Sequence, residues 1–224
     1  FGGNMDLRIL TEGSTLYLPV FVKGALVWSG DSHAGQGNGE IDLTAIETAF
    51  AEFNVTIDVI KNKTLTWPRA ETSTDWVAVG YDKDLNKAFD ILKEETIKLI
   101  MDQRHVDAVA AKKMMLATWN CPIAEVVNGV QGVYCMVPKA TNASRPTLLK
   151  TDDAAFFVTY GKHNDLTQAM KIAAMDMINK INRVKKLPRE EAYTLASFVM
   201  DCRIAPHEVG EKEVHCMIAK NVWQ

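Results

Sequence analysis

Asp84-Leu85-Asn86-Lys87-Ala88-Phe89-Asp90-Ile91 returns, 81 residues further along, as Asp165-Leu166-Thr167-Gln168-Ala169-Met170-Lys171-Ile172. The same offset lays 79–139 on 160–220 without a gap, placing Ile100 on Ile181, Cys121 on Cys202, Gly129 on Gly210 and Cys135 on Cys216. Each copy reads as an ααββ unit. Asp84 and Asp165 stand where a side-chain oxygen accepts the orphan N–H groups of a helix start. In the second copy Leu166, Met170, Met177, Ile178 and Ile181 recur near helical spacing and form an apolar stripe for a core. A second helix follows, with Pro188 in its first turn and Glu190 and Glu191 at the positive end of its dipole. Two strands then turn at Asn128-Gly129 or Val209-Gly210, Asn-Gly being a strong hairpin signal. The stretch 140–153, with Asn142, Ser144, Pro146 and Asp152, joins the copies as a loop.

The cysteines fall inside these units, and a hairpin turning at Asn128-Gly129 sets Cys121 opposite Cys135. One reading is a metal pair or a redox disulfide. The other is a small buried hydrophobe on the core side of each strand. No CxxC and no histidine at ligand spacing accompanies the pairs, which favours the second. Four cysteines in 224 residues also make no disulfide scaffold.

Upstream, period two takes over. Leu16, Leu18, Val20 and Val22 alternate with Tyr17, Pro19, Phe21 and Lys23, and Phe53, Val55, Ile57 and Val59 with polar residues. Pro19 suggests an edge or a bulge, and 42–53 reads equally as strand or helix. The expected class is α+β: a β-rich sandwich or barrel portion over 1–72, then ααββ units over 73–150 and 151–224. The chain opens Phe1-Gly2-Gly3 without an initiator Met, so an upstream segment or subunit of the same protein is expected as a partner.

Composition narrows the function. Twenty-five Lys+Arg against 28 Asp+Glu, with no basic cluster, argue against nucleic acid. No apolar run reaches the roughly 18 residues a membrane span needs, so a soluble protein, cytoplasmic or periplasmic, is expected. The stretch that differs from fold-building sequence is Gly30-Asp31-Ser32-His33-Ala34-Gly35-Gln36-Gly37-Asn38-Gly39-Glu40. Asp31 and His33, two apart, project to one side of an extended backbone, and the glycines let the loop curl to bring Glu40 back. Asp, His and Glu together bind a divalent metal or form an acid/base relay. The bland alternative is a glycine-rich loop with a satisfied polar network. His105, His163, His207 and His215 read as surface or packing residues. Trp67-Pro68-Arg69-Ala70-Glu71-Thr72 reads as a lid contact or a structural corner.

Gly2-Gly3-Asn4-Met5-Asp6, the Leu-Tyr-Leu-Pro-Val of 16–20, the loop 30–40, Pro68-Arg69-Ala70-Glu71-Thr72 and the late run Leu187-Pro188-Arg189-Glu190-Glu191-Ala192-Tyr193 resemble, in order, the acetamidase/formamidase family. The resemblance implies hydrolysis of a small linear carboxamide to ammonia and the acid, at a metal-associated site built on Asp31, His33 and Glu40. Asn4 and Asp6 match the Gly-Gly-Asn-Met-Asp motif and line the same pocket. Two departures stand out: Asn38, where the family usually has an acid, and two C-terminal units where family members carry one. With no Ser or Cys nucleophile in view, water attack assisted by a divalent ion, zinc or calcium, is the expected mechanism. Asp31, His33 and Asp6 are the expected ligands, Glu40, His33 and Asp31 the catalytic groups, and Asn4, Gln36 and Glu71 the substrate contacts. A homo-oligomer is expected. The competing readings are an inactive or altered scaffold of the same fold, and an amidase for a bulkier arylacetamide.

Overall fold

Asp84 and Asp165 begin the two longest helices by the same means. The Asp84 carboxylate accepts from Asn86 N–H to start α1 (Leu85–Arg104), and that of Asp165 accepts from Gln168 N–H to start α3 (Leu166–Lys185). Their ends match too, His105 and Lys186 taking left-handed C-cap conformations. The computed structural model of the chain describes residues 4–43 and 45–223. Gly2 and Gly3 of the N-terminal motif lie outside the described residues.

Elements are numbered in chain order. β5 (Asp75–Asp82) precedes α1, and α2 (Ala108–Ala117), β6 (Cys121–Glu125) and β7 (Gln131–Pro138) follow it. β8 (Phe156–His163) precedes α3, and α4 (Arg189–Val199), β9 (Asp201–Ile204) and β10 (Lys212–Ala219) follow it. Each segment therefore opens on a strand that the ααββ reading lacked. Pro188 sits at the N-cap position of α4, one residue before the first turn, and Glu190 and Glu191 occupy that turn.

With β1 (Thr15–Tyr17) and β4 (Arg69–Glu71) added, the main sheet among the described residues has eight strands in the order β1-β4-β5-β7-β6-β9-β10-β8, every named pairing antiparallel. The two segments meet at its centre, where β6 pairs β9 through Cys121 with Ile204 and Pro122 with Arg203. Helices cover one face, with Phe89, Leu92, Met170 and Met177 packed into a single core with Ile123, Ile204 and Val214. The other face carries a smaller cluster of Leu7, Val77, Val79, Ala124 and Tyr134. Alternation along β5, Val77 and Val79 to one face and Ala78 to the other, follows from the strand period. No helix among the described residues is long and apolar enough to cross a membrane.

Two expectations need correction. The N-terminal region builds no sandwich or barrel among the described residues. β1 (Thr15–Tyr17) and β4 (Arg69–Glu71) extend the main sheet, while β2 (Ser32–Gly35) and β3 (Ile46–Thr48) pair separately. Residues 49–60 form no strand, and Phe53, Val55, Ile57 and Val59 are all exposed. Alternation alone does not make a strand; a partner must satisfy its backbone, and none runs beside 53–60 among the described residues. The second correction concerns the cysteines. Cys121–Cys135 and Cys202–Cys216 are disulfides, each joining adjacent antiparallel strands with Cα atoms 4.1 Å apart. All four are also buried in the helix-covered core. Direct opposition across a ladder supplies the closeness that a CxxC spacing supplies elsewhere.

Candidate active site

The chemistry-bearing loop enters the sheet at its central seam. Past the last β6–β9 pair the two strands separate, and residues 38 and 39 stand between them. Gly39 N–H donates to the Ala124 carbonyl of β6 at 3.2 Å, and Cys202 N–H of β9 donates to the Asn38 carbonyl at 2.8 Å. Gly37 N–H donates to the Ser197 carbonyl at the end of α4. A Cβ on Gly37 would lie 2.6 Å from the Ser197 and Met200 carbonyl oxygens, so only glycine fits. Gly39 has φ +128°, a conformation L side chains rarely adopt, and Glu40 follows at φ 30°. The turn buries Gln36, Asn38 and Glu40.

His33 is held on both ring nitrogens. Nδ1 lies 2.9 Å from Gln36 Oε1, and Nε2 lies 3.2 Å from Asp31 and 3.3 Å from Glu47. Gln36 in turn donates to the Asp6 carbonyl at 2.7 Å, tying the loop to the N-terminal motif. Burial opposes the imidazolium. The hydrogen bonds to Gln36 and Asp31 and the charge of Glu47 outweigh it, so the His33 pKa is raised. Asp6, His33 and Glu40 bring one ligand atom each within 4.8 Å of one another, and Asp31, His33 and Glu47 do the same. Thus His33 is common to two acid groups, and Asp31 and Glu40 fall in different ones. Glu40 has its pKa pushed up to about 7, first by burial and then by the charge of Asp6. Its Oε2 is buried without a hydrogen-bond partner among the described residues.

The other expected residues divide. Asn4 donates to Asp6 Oδ2 at 3.0 Å and so belongs beside the cluster. Glu71 accepts from Tyr17 at 2.7 Å and pairs with Lys139 at 2.7 Å, partners outside the cluster, in keeping with a structural corner. Asn38 donates to Asp201 Oδ1 at 2.8 Å and accepts from Tyr134 at 2.7 Å. An acid there would face the Asp201 carboxylate, so the departure from the family pattern is answered by β9 and removes no group from the cluster. His215, expected at the surface or in packing, is buried between the Leu149 carbonyl and Glu213, each at 2.7 Å.

Two residues of the site escaped the sequence. Glu125, fully buried at the end of β6, and Asn128, in the following turn, both reach Asp6. Register shifts between Ile123 and Glu125, which oppose Val133 and Gly132, so β6 carries a bulge there. In a regular strand Glu125 would share the helix-covered face with Cys121 and Ile123; the bulge re-aims it towards Asp6. Asn128 Nδ2 donates to Asp6 Oδ2 at 2.6 Å and to Glu125 Oε2. Burial first, then contact with Asp6, holds the Glu125 carboxyl well above the usual carboxylate range. The available signal was a lone acid in the apolar run Cys121-Pro122-Ile123-Ala124-Glu125-Val126-Val127.

The donor set suits a divalent cation: two carboxylates and an imidazole within reach of one point, and a buried carboxylate oxygen with no other partner among the described residues. Comparison with known proteins agrees with the motifs. Residues 1–207 match the sequence model of the acetamidase/formamidase family. A stretch of 60 residues is 40% identical to an acetamidase of Mycolicibacterium smegmatis, covering 27% of this chain and 15% of that protein. Stretches of 62 residues are 44% identical to a formamidase of Methylophilus methylotrophus and to a putative formamidase of Schizosaccharomyces pombe, again covering 27% of this chain and 15% of each relative. From the ordered motifs, the residues they bring together and a match over most of its length, the chain belongs to the acetamidase/formamidase family.

Proposed function

We propose that the protein hydrolyses the C–N bond of a small linear carboxamide, formamide or acetamide in kind, to ammonia and a carboxylate. The observation that carries this reading is the convergence of Asp6, His33 and Glu40, with a buried Glu40 oxygen left unpartnered. Asp6 and His33 are the residues that would hold a divalent cation, with Glu40 at the same point. Such an ion supplies Lewis acidity, polarising an amide carbonyl and acidifying water.

The chain's own groups supply the rest. Amide hydrolysis needs a proton removed from water and one delivered to the departing nitrogen. Glu40, with a pKa of about 7, is balanced between the two states near neutral pH and can serve both transfers. Gln36 and Asp31 fix the ring of His33, so its orientation does not depend on substrate. Asn4 holds the Asp6 carboxylate, while Gln36 links the loop to the Asp6 carbonyl. We also read the two βααββ segments as diverged copies of one unit, since their capping aspartates and disulfides recur at one offset.

The test is Glu40→Gln, which keeps the size of the side chain and removes its proton transfer. Ammonia release from formamide and acetamide should be abolished while circular dichroism stays unchanged. Full turnover by the variant refutes the role. The scaffold-only reading drew on Asn38 and on the extra C-terminal unit; of these, Asn38 is engaged by Asp201 and Tyr134 instead of the cluster.

A further inference from the structure

Asp6 is poorly placed to hold its own geometry. It lies near the start of the described chain at φ 44°, outside any helix or strand. Both side-chain amides that reach its carboxylate, from Asn4 and Asn128, donate to Oδ2. Neither touches Oδ1. The Asn4 contact spans two residues, within the same irregular stretch, and is exposed. The Asn128 contact spans 122 residues, is part-buried, and comes from the β6–β7 hairpin, which the Cys121–Cys135 disulfide and the pairing of β7 with β5 brace.

Asn128 does more than donate to Asp6. Its single amide nitrogen sits between Asp6 Oδ2 and Glu125 Oε2, so it keeps two adjacent carboxyl groups in register. The bulge in β6 is what brings Glu125 to this position, and Glu125 is itself fully buried. The corresponding hairpin of the second segment has Pro206 and Val209 at the same offsets, and Val209 is 94% exposed. The amide and the acid are therefore features of the first hairpin alone. They are not demands of the turn.

We infer that Asn128, backed by Glu125, is the positioning residue that orients Asp6 for cation binding by pinning Oδ2. This rests on the reading of Asp6 and His33 as ligands. A residue that orients a ligand without touching the metal characteristically changes metal affinity by about 10–100-fold when removed. Asn128→Asp keeps the shape and the turn preference of the site but replaces the shared donor with a third carboxylate oxygen facing Asp6 and Glu125.

The experiment titrates the metal-stripped protein with Zn2+ and, separately, with Ca2+ by calorimetry, for the wild type and for Asn128→Ala, Asn128→Asp and Val209→Ala. Near-ultraviolet circular dichroism follows the fold. Asn128→Ala and Asn128→Asp should each bind about 10–100-fold more weakly with unchanged spectra, and Val209→Ala should bind as the wild type does. Equal affinity for wild type and either folded Asn128 variant overturns the positioning role while leaving the ligand reading intact. A wild type that binds neither ion overturns both. If Asn128→Ala fails to fold, the shape-preserving Asn128→Asp decides.

Discussion

The segments 75–138 and 156–219 share one order of elements, one kind of helix cap and one cross-strand disulfide each, yet they contribute to the site in opposite ways. The first reaches in: the bulge in β6 and the turn after it bring Glu125 and Asn128 to Asp6. The second grips from outside: Ser197 and Met200 close on Gly37, Asp201 and Cys202 hold Asn38, and Tyr193 donates to the Ile41 carbonyl. The lesson is that a shared backbone plan does not assign roles. A bulge in one strand and two side-chain changes, at the end of that strand and in the turn after it, make one hairpin part of the site and leave the other in solvent.

That division can be broken most severely at Gly37. A methyl group there meets two backbone oxygens that cannot yield without moving the end of α4, so Gly37→Ala should cost about 3 kcal/mol. It should also abolish ammonia release, because Glu40 would lose its seat. Urea denaturation and an ammonia assay check both. Next come the disulfides. Each closes a loop with a sequence separation of 14, so Cys121→Ala/Cys135→Ala and Cys202→Ala/Cys216→Ala should each cost about 3 kcal/mol. Equal losses of stability with metal affinity falling only in the first pair would sharpen the contrast; equal losses of affinity would erase it.

A third effect is a pH dependence. The Glu40 pKa is raised from 4.5 to about 7, so the folded, metal-free protein holds a proton that the unfolded chain releases. Its stability should therefore fall as pH rises between about 4.5 and about 7. Cation binding favours ionised Glu40 and needs neutral His33, whose pKa is also raised, so affinity should rise by at least about tenfold per pH unit below that upper value. Calorimetric titrations at pH 5.5, 6.5 and 7.5 (roughly one-unit steps across the transition) test the sign. The smallest effect is expected at Val209, where Val209→Asn recreates the asparagine of the first turn. Being 94% exposed, it should shift stability by no more than about 0.5 kcal/mol, measured by thermal unfolding, with no gain in metal affinity.

Legibility in the sequence followed the range of the interactions involved. Helix starts at Asp84 and Asp165 depend on neighbours two or three residues away and could be read directly. So could the hairpin turns, and the closeness of Asp31 and His33 at 3.2 Å. In 1–72 the alternation from Leu16 met β1, but that of 53–59 met no strand, because a strand exists only with its partner and alternation is silent about partners. Disulfide pairing lay between, since the hairpin placed each cysteine opposite the other without saying that the sulfurs join. Glu125 was hidden for a different reason: a bulge reverses the face of every residue after it, and periodicity assumes no such slip. Asn128 was legible as a turn former, and that reading concealed its second role.

The insertion of residues 38 and 39 between β6 and β9 has a consequence for how the molecule matures. The wedge contacts strands whose residues lie more than 80 and 160 positions away along the chain, Ala124 and Cys202. Contacts so remote in sequence form late, after the local helices and hairpins have paid their own closure entropy. Until that seam closes, Glu40 lacks its buried seat beside Asp6 and His33, and competence arrives only with the closing of the whole sheet.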